Sequence, residues 1–296
     1  MSHALRLALT RLLEAEDGRL PASQFTHAQR LALDNCRSRT GALCLQRSGR
    51  GSVYCLTDRV VIEQHLRRLA PLNDKQATTS LPRRAAHIGH TRSSKGGRHN
   101  HEWDYLLLRS NNPVSWHNDD GDALDLQAAT RQQGAAALRI GSGEDTGWHT
   151  TGTLWLLENQ ALFDRLDWLP AGQAASVLWY SGQLRHSLVH WLAQRPRAGS
   201  VILFPDYDGV GLHNYTQLKK QLGDECHFWL MPGWQQKLTR YGNNELWQKT
   251  AREFNAALPA LAPLFAAEPV LKQLVTAMQT QGLALEQEAV WLPVEE

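Results

Sequence analysis

The chain has 296 residues, of which 42% are hydrophobic and 20% are charged, so it is long enough for two domains with separate cores. Its formal net charge of +2 is too small to indicate a partner by itself. No apolar run approaches the about eighteen residues of a membrane span, and the amino terminus lacks a signal-peptide core, which predicts a cytoplasmic protein with no membrane partner. Four cysteines without Cys-x-x-Cys spacing predict reduced core thiols rather than a zinc site.

Residues 1–72 carry the pattern of a winged-helix DNA-binding domain. Two amphipathic helices come first, and the second begins at a capping box formed by Thr26 and Gln29. Two strands then flank a basic, glycine-rich hairpin tip, and a third helix follows. In such a domain a helix enters the major groove and the hairpin touches phosphates. The alternative is a winged helix that contacts only protein. The candidate DNA contacts are Arg30, Arg37, Arg47 and Arg50.

Residues 73–103 are predicted to form a basic, flexible linker, because the segment is poor in apolar side chains and rich in Arg, Lys, His, Ser and Gly. A segment of this kind can become ordered on phosphates, and it then adds salt-dependent affinity without sequence preference. Its candidate DNA contacts are Arg83, Arg84, Arg92, Lys95 and Arg98.

Residues 104–296 are predicted to form an α/β domain with its core at 150–242 and a helical carboxyl-terminal extension. Four short apolar runs, beginning at Thr153, Ala175, Val201 and Cys226, alternate with helical patterns. This order predicts an open parallel sheet with right-handed crossovers, in which ligands bind at the carboxyl ends of the strands. Residues 104–147 give weaker signals and are interpreted as a lead-in with one strand at 105–108. After residue 233 we expect separate helices broken by Pro259, Pro263 and Pro269.

Carboxylates follow two of these predicted strands. Asp206 and Asp208 come directly after the third, and in an extended chain both point the same way while Tyr207 turns aside. Glu158 ends the first strand and therefore falls at the same edge of the sheet. Crowded carboxylates raise one another's pKa unless a cation neutralises them, and hard oxygen ligands suit Mg²⁺ or Mn²⁺. Gly209 and Gly211 would allow a tight turn into the following helix.

Glu158 after the first strand, Ser181-Gly182 after the second and Asp206-x-Asp208-x-x-Gly211 after the third together resemble the Toprim domain of topoisomerases, primases and certain nucleases. Four motifs, Leu-Leu-Glu-Asn-Gln160, Trp-Tyr-Ser-Gly182, Asp-Tyr-Asp-Gly-Val-Gly211 and Leu-Glu-Gln-Glu288, are more similar still to one branch. That branch is the nuclease subunit (JetD or MksG) of Wadjet plasmid-defence systems, a relative of the A subunit of type IIB topoisomerases. The resemblance covers about residues 150–290, and it departs from the family at Pro205, where Gly is usual, and at Gly209, where Pro is common.

The resemblance implies a divalent-metal-dependent DNA endonuclease, with Mg²⁺ or Mn²⁺ held by Glu158, Asp206 and Asp208. Glu158 could instead be the general base. Glu286 and Glu288, which share one side if the chain there is extended, would either extend the metal site or cap the domain. The resemblance also implies that a condensin-like SMC motor, with kleisin and accessory subunits, presents double-stranded plasmid DNA. A homodimer would suit the cutting of both strands.

Three other functions remain open at the sequence level. A type IIB topoisomerase-like transesterase would use Tyr54 as its nucleophile, although a strand tyrosine of this kind is more often a packing residue. A haloacid-dehalogenase-type phosphatase would use Asp206 as nucleophile and Asp208 as acid. Against it, this motif should open a catalytic domain, whereas several predicted elements precede it here. The third alternative is a non-catalytic winged-helix DNA-binding protein whose other half serves for docking.

Overall fold

The structure is a computed structural model, and the residues it describes are 2–49, 51–69, 81, 83–91, 103–141 and 145–294. The chain divides into two compact units, Met1–Asn100 and His101–Glu296, called here the amino-terminal and carboxyl-terminal units. Among the described helices, none has both the length and the hydropathy needed to cross a lipid bilayer. Four predicted DNA contacts lie outside the described residues, namely Arg50, Arg92, Lys95 and Arg98.

The amino-terminal unit combines helices with a small antiparallel sheet of order β1-β3-β2. The predicted capping box is confirmed, since Gln29 N donates to Thr26 Oγ1 at 3.3 Å and Thr26 N donates to Gln29 Oε1 at 2.9 Å. Two features were not predicted: Arg19–Pro21 forms strand β1 on β3, and a helix, α4, lies within the expected linker. The elements are α1 (Ser2–Glu14), β1 (Arg19–Pro21), α2 (His27–Thr40), β2 (Leu43–Ser48), β3 (Gly51–Leu56), α3 (Arg59–Leu69) and α4 (Arg83–Thr91).

The carboxyl-terminal unit is an α/β domain with a six-stranded sheet of order β11-β10-β8-β9-β4-β7. Its elements are β4 (Trp103–Arg109), β5 (Ser115–His117), β6 (Ala123–Asp125), α5 (Leu126–Gln133), β7 (Ala136–Gly141), β8 (Thr153–Leu157), α6 (Gln160–Asp164), β9 (Ala175–Trp179), α7 (His186–Gln194), β10 (Ser200–Phe204), α8 (Gly209–Leu222), β11 (Cys226–Phe228), α9 (Trp234–Tyr241), α10 (Asn244–Leu261) and α11 (Pro269–Gln281). A 3₁₀ helix, Gln287–Trp291, follows α11.

The four strands predicted to lie parallel are parallel, but the sheet is mixed because two further strands, β4 and β7, extend it. Strands β8, β9, β10 and β11 run parallel, whereas β4 pairs antiparallel with both β9 and β7. The burial pattern gives the reason. Leu106 and Leu108 of β4 are buried while Tyr105 is 60% exposed, the alternation of an antiparallel strand with one solvated face. In β8 the last four residues are all buried, as in a parallel strand covered on both faces.

The strand order creates a topological switch point beside β8. From β8 the chain crosses to β9 on one side, while from β10, on the other side of β8, it continues outward to β11. The connections that leave the carboxyl ends of β8 and β10 therefore diverge, and the general rule for open α/β sheets is that ligands bind in the crevice between such connections. The register pairs Leu157 with Phe204, so Glu158 and Pro205 are the first residues beyond the paired ends.

One predicted helix boundary is wrong. Pro259 does not break α10, which continues to Leu261. Proline in a helix removes one amide donor and leaves the carbonyl four residues earlier without its partner. Here that carbonyl belongs to Asn255, and both Asn255 and Pro259 are exposed, so water can satisfy it. The two later breaks agree with the sequence, because a 3₁₀ turn at Ala262–Ala266 contains Pro263 and α11 begins at Pro269.

Candidate active site at the carboxyl ends of β8 and β10

The acidic loop after β10 is held from both sides. Tyr207 is completely buried, and its hydroxyl accepts a hydrogen bond from Met231 N at 2.6 Å, so it turns away from the carboxylates as predicted. Its backbone forms a two-way bridge with Leu285, with N···O distances of 2.7 and 3.0 Å. Asp208 caps helix α8, since its Oδ1 accepts from Gly211 N at 2.8 Å. These contacts fix the direction in which Asp206 and Asp208 leave the sheet.

The two glycines of this loop are required for close approach rather than for an unusual backbone turn. Neither Gly209 nor Gly211 has a positive φ; both lie in the first turn of α8. A Cβ on Gly209 would lie 2.0 Å from the carbonyl oxygen of Thr250 on α10, and a Cβ on Gly211 would lie 2.1 Å from that of Asp206. The interpretation of these glycines as turn formers is therefore wrong. They let α8 start directly against the acidic loop and against α10.

Glu158 meets the acidic loop across the crevice. The hydroxyl of Tyr180, which follows β9 and is 1% exposed, donates to Glu158 Oε2 at 3.4 Å. The backbone N–H of Asp206 also interacts with the Glu158 carboxylate and lowers its pKa. The structure therefore brings Glu158 to Asp206 although 47 residues separate them in the chain, as the hydrogen bond between Asn159 and Asp206 also shows at 3.2 Å.

The segment after α11 completes the site through Gln287, a residue that the sequence analysis did not single out. Gln287 is fully buried, and its backbone N donates to Asp206 Oδ1 at 2.8 Å. Its side-chain amide donates to the carbonyl of Phe204 at the end of β10, while its Oε1 accepts from Asn159 N at 3.1 Å. One side chain thus joins the ends of β8 and β10. Gln287 lies within the Leu-Glu-Gln-Glu288 motif, but only the two glutamates of that motif were considered as site residues.

The two glutamates that flank Gln287 have different positions. This stretch is not extended, because a 3₁₀ helix begins at Gln287, so Glu286 and Glu288 do not share one side. Glu286 is exposed, whereas Glu288 Oε2 accepts from Asn159 Nδ2 at 3.0 Å. The same Asn159 amide group also donates to Asp206, so it bridges the two carboxylates. Glu288 therefore belongs to the cluster.

The electrostatics of the cluster are unfavourable to ionisation. Burial raises the pKa of Glu158 to about 7, and the charge of Asp208 is the second cause. Burial raises the pKa of Asp206 to about 8, against the lowering effect of the Gln287 amide and with added repulsion from Glu158. Burial also raises the pKa of Asp208. The repulsion expected from the sequence is present, but removal from water is the larger cause.

The side chains of this cluster have the donor atoms that a divalent cation prefers, but they are not arranged around a common point. Within the described residues, no group of three or more His, Cys, Asp or Glu side chains is arranged to hold a metal ion. Glu158, Asp206, Asp208 and Glu288 nevertheless offer hard oxygen ligands, and none of them forms an ion pair with a described basic residue. Coordination would require rotation of these side chains, including release of the Asn159 bridge.

Comparison with family models identifies one match, over residues 118–292, to a family described as a domain of unknown function (DUF7281). The chain belongs to the DUF7281 family. The matched region contains all the carboxylates of the cluster and Gln287, and it excludes the amino-terminal unit. A comparison with curated proteins finds no match. Because the family carries no assigned function, membership shows which residues are shared with it and leaves the chemistry to be inferred from the residues.

Outside the DUF7281 region, the structure places Tyr54 in the core of the amino-terminal unit. Tyr54 is 1% exposed, and its hydroxyl donates to Asp34 Oδ1 at 3.0 Å. Burial raises its pKa to about 12, and the hydrogen bond to Asp34 is the next cause. A hydroxyl that is buried and harder to ionise than usual is poorly placed to attack a phosphodiester. The packing alternative for Tyr54 is therefore the better supported one.

The predicted DNA contacts of the amino-terminal unit lie on its surface where they are described. Arg30 on α2 and Arg47 on the β2–β3 hairpin are exposed, and Arg84 on α4 is exposed as well. Arg37 on α2 is half-buried and lies 3.9 Å from Asp34. Exposed arginines on a helix and a neighbouring hairpin are compatible with phosphate contacts, but they also occur on ordinary protein surfaces.

Proposed function

We propose that this protein is a divalent-metal-dependent DNA endonuclease. The observation that carries the proposal is the convergence of Glu158, Asp206 and Asp208, with Glu288, in the switch-point crevice without a basic partner among the described residues. Ligand sites of open α/β sheets occur at such crevices. Carboxylates that are buried together and not neutralised by the protein are suited to hold Mg²⁺ or Mn²⁺.

The chemistry proposed is hydrolysis of a phosphodiester. Glu158, Asp206 and Asp208 would hold the ion or ions, which when bound neutralise phosphate charge and acidify water. The Tyr180 hydroxyl donates to Glu158 and the Gln287 backbone N donates to Asp206, so both carboxylates are held at this edge of the sheet in the metal-free protein. Glu158 is also suited to accept a proton, since its pKa of about 7 lies near neutrality; ligand and general base remain alternative roles.

The finer assignments belong to the same proposal. The carboxyl-terminal unit would be a Toprim nuclease domain and the amino-terminal unit a winged-helix domain that binds double-stranded DNA. Its contacts would include Arg30, Arg37 and Arg47. The remaining basic candidates are Arg50, Arg83, Arg84, Arg92, Lys95 and Arg98. By resemblance, the protein would serve a condensin-like SMC motor with kleisin and accessory subunits in plasmid defence, and it could act as a homodimer.

The test is incubation of the purified chain with supercoiled plasmid and Mn²⁺ or Mg²⁺. We expect nicked or linear product from the wild type and from Tyr54→Phe, and none from Asp206→Asn or Glu158→Gln. Loss in Tyr54→Phe together with covalent protein–DNA adducts would support transesterification instead. Hydrolysis of p-nitrophenyl phosphate without plasmid cleavage would support the phosphatase. Absence of both activities and of Mn²⁺ binding by calorimetry would refute the metal site.

A further inference from the structure

The side of the acidic cluster that faces α10 carries a basic residue outside the site described above. The amide of Gly209 donates to Thr250 Oγ1 at 3.2 Å, and Gly209 leaves no room for a Cβ against α10. The turn of α10 that contains Thr250 therefore packs against the residue that directly follows Asp208. Lys249 precedes Thr250 on this turn, and its charge acts on Asp208.

Lys249 is not used by the fold. Its side chain is exposed, and it forms no ion pair or hydrogen bond with a described residue. Lys237, in contrast, is buried and donates to the carbonyl of Val290 at 2.8 Å, and Lys219 pairs with Glu268 at 3.1 Å. Lys220 and Lys272 are also exposed and form no ion pair with a described residue, so the feature that distinguishes Lys249 is its position next to Thr250, on the turn of α10 that packs against Gly209.

We propose that Lys249 contacts a backbone phosphate of the DNA strand held at the cluster, next to the phosphodiester that is cut. This inference rests on the proposed function. A cluster of carboxylates repels the phosphates on either side of the scissile bond, and ions bound within the cluster act mainly on the phosphate they contact. A lysine at the rim supplies a point charge to the neighbouring phosphate. Glu253 lies one turn further along α10, and its negative charge raises the pKa of Asp208, whereas the charge of Lys249 lowers it. The alternative role of Lys249 is therefore to neutralise the carboxylates of Asp208 and Glu253.

Duplex binding and plasmid cleavage by the full chain separate these roles. Binding of a fluorescent duplex in Ca²⁺ is followed by anisotropy from about 50 to about 200 mM NaCl. For Lys249→Gln we expect the slope of log affinity against log salt to fall by about 0.9, which is roughly an eightfold loss near 0.1 M salt. Lys249→Arg should restore the slope. The matched control is Lys220→Gln, an exposed lysine near the other end of α8, which should behave as the wild type.

Each outcome decides one of the two proposals. A Lys249→Gln protein with the wild-type salt slope and cleavage rate overturns the role of Lys249 while leaving the nuclease intact. Stronger Mn²⁺ binding by calorimetry with an unchanged slope also overturns it, because removal of a positive charge that acts on the carboxylates would raise their affinity for a cation. A Lys249-dependent slope in a wild-type protein that cuts no plasmid supports the phosphate contact and counts against hydrolysis.

Discussion

Replacement of Asp206 by asparagine should stabilise the metal-free protein at neutral and alkaline pH. The substitution keeps the shape of the side chain, and the Oδ1 atom of the new amide can still accept from Gln287 N and Asn159 Nδ2. It removes a negative charge that is buried and that faces Glu158 and Asp208. Most substitutions in a buried site lower the free energy of unfolding, so an increase in the free energy of unfolding for Asp206→Asn would be diagnostic.

The magnitude follows from the pKa of Asp206, which rises from 3.8 to about 8 on folding. Between these values the folded state holds a proton that the unfolded state has lost, so the stability of the wild type falls as the pH rises through this window. A shift of about four units at about 1.4 kcal/mol each corresponds to an upper bound of about 6 kcal/mol. We expect Asp206→Asn to match the wild type near pH 4 and to exceed its free energy of unfolding by about 2 to 5 kcal/mol above pH 8.

Urea unfolding in EDTA, followed by tryptophan fluorescence at several pH values, measures this difference. All eleven tryptophans lie at or after residue 103, so the signal reports on the carboxyl-terminal unit alone. Asp224→Asn is the matched control, because it makes the same chemical change at a fully exposed side chain. The ion pair between Asp224 and Lys219, at 3.7 Å, is open to water on the Asp224 side and contributes little to stability. The reasoning fails if Asp206→Asn and the wild type have parallel stability curves between pH 4 and pH 9, or if the variant is the less stable at alkaline pH.

Three further outcomes are expected. Mn²⁺ should stabilise the wild type, by about 2.7 kcal/mol at a hundredfold excess over its dissociation constant, and should leave the unfolding of Asp206→Asn unchanged; equal shifts would refute binding at the cluster. Gln287→Leu should cost about 2 to 4 kcal/mol, since it leaves buried polar groups unpaired, and should weaken the Mn²⁺ response in calorimetry. Ser176→Ala, which removes one buried hydrogen bond to Trp116, should lose stability but keep that response. Tyr54→Phe should lower the stability of the amino-terminal unit by about 1 kcal/mol, measured by circular dichroism, and leave plasmid cleavage unchanged; impaired cleavage would revive the tyrosine nucleophile.

The parallel part of the sheet was predictable because several local signals agree. The strands from β8 onward are short, apolar and separated by helical patterns, and such alternation permits few topologies. Once the strands are parallel, Glu158 and Asp206 must reach the same edge, and the buried Tyr207 follows from the alternation of side chains. The capping box at Thr26 is equally local, since both of its residues lie within four positions.

The parts that the sequence did not reveal depend on contacts between distant segments. The alternating pattern of β4 indicates a strand with one buried face. It does not indicate that β9 will be the neighbour of β4 in the sheet. Whether Gly211 serves a turn or a close approach depends on where the carbonyl of Asp206 lies. The role of Gln287 depends on atoms that lie 81 and 128 residues away in the chain, at Asp206 and Asn159.

The helices that follow β11 position the segment that contains Gln287 and Glu288, although the helices themselves contribute none of the carboxylates of the cluster. Helices α9, α10 and α11 carry the chain from β11 to the segment that contains Gln287 and Glu288. Asn243, which caps α10, bridges to Ala284, and Leu285 then bridges to Tyr207, so the returning segment is aligned before Gln287 reaches the two strand ends. The family match extends to residue 292, just beyond this segment. A domain that ended at β11 would keep Glu158, Asp206 and Asp208 but would lack the amide that fixes Asp206, which is why the carboxyl-terminal helices belong to the site as much as the sheet does.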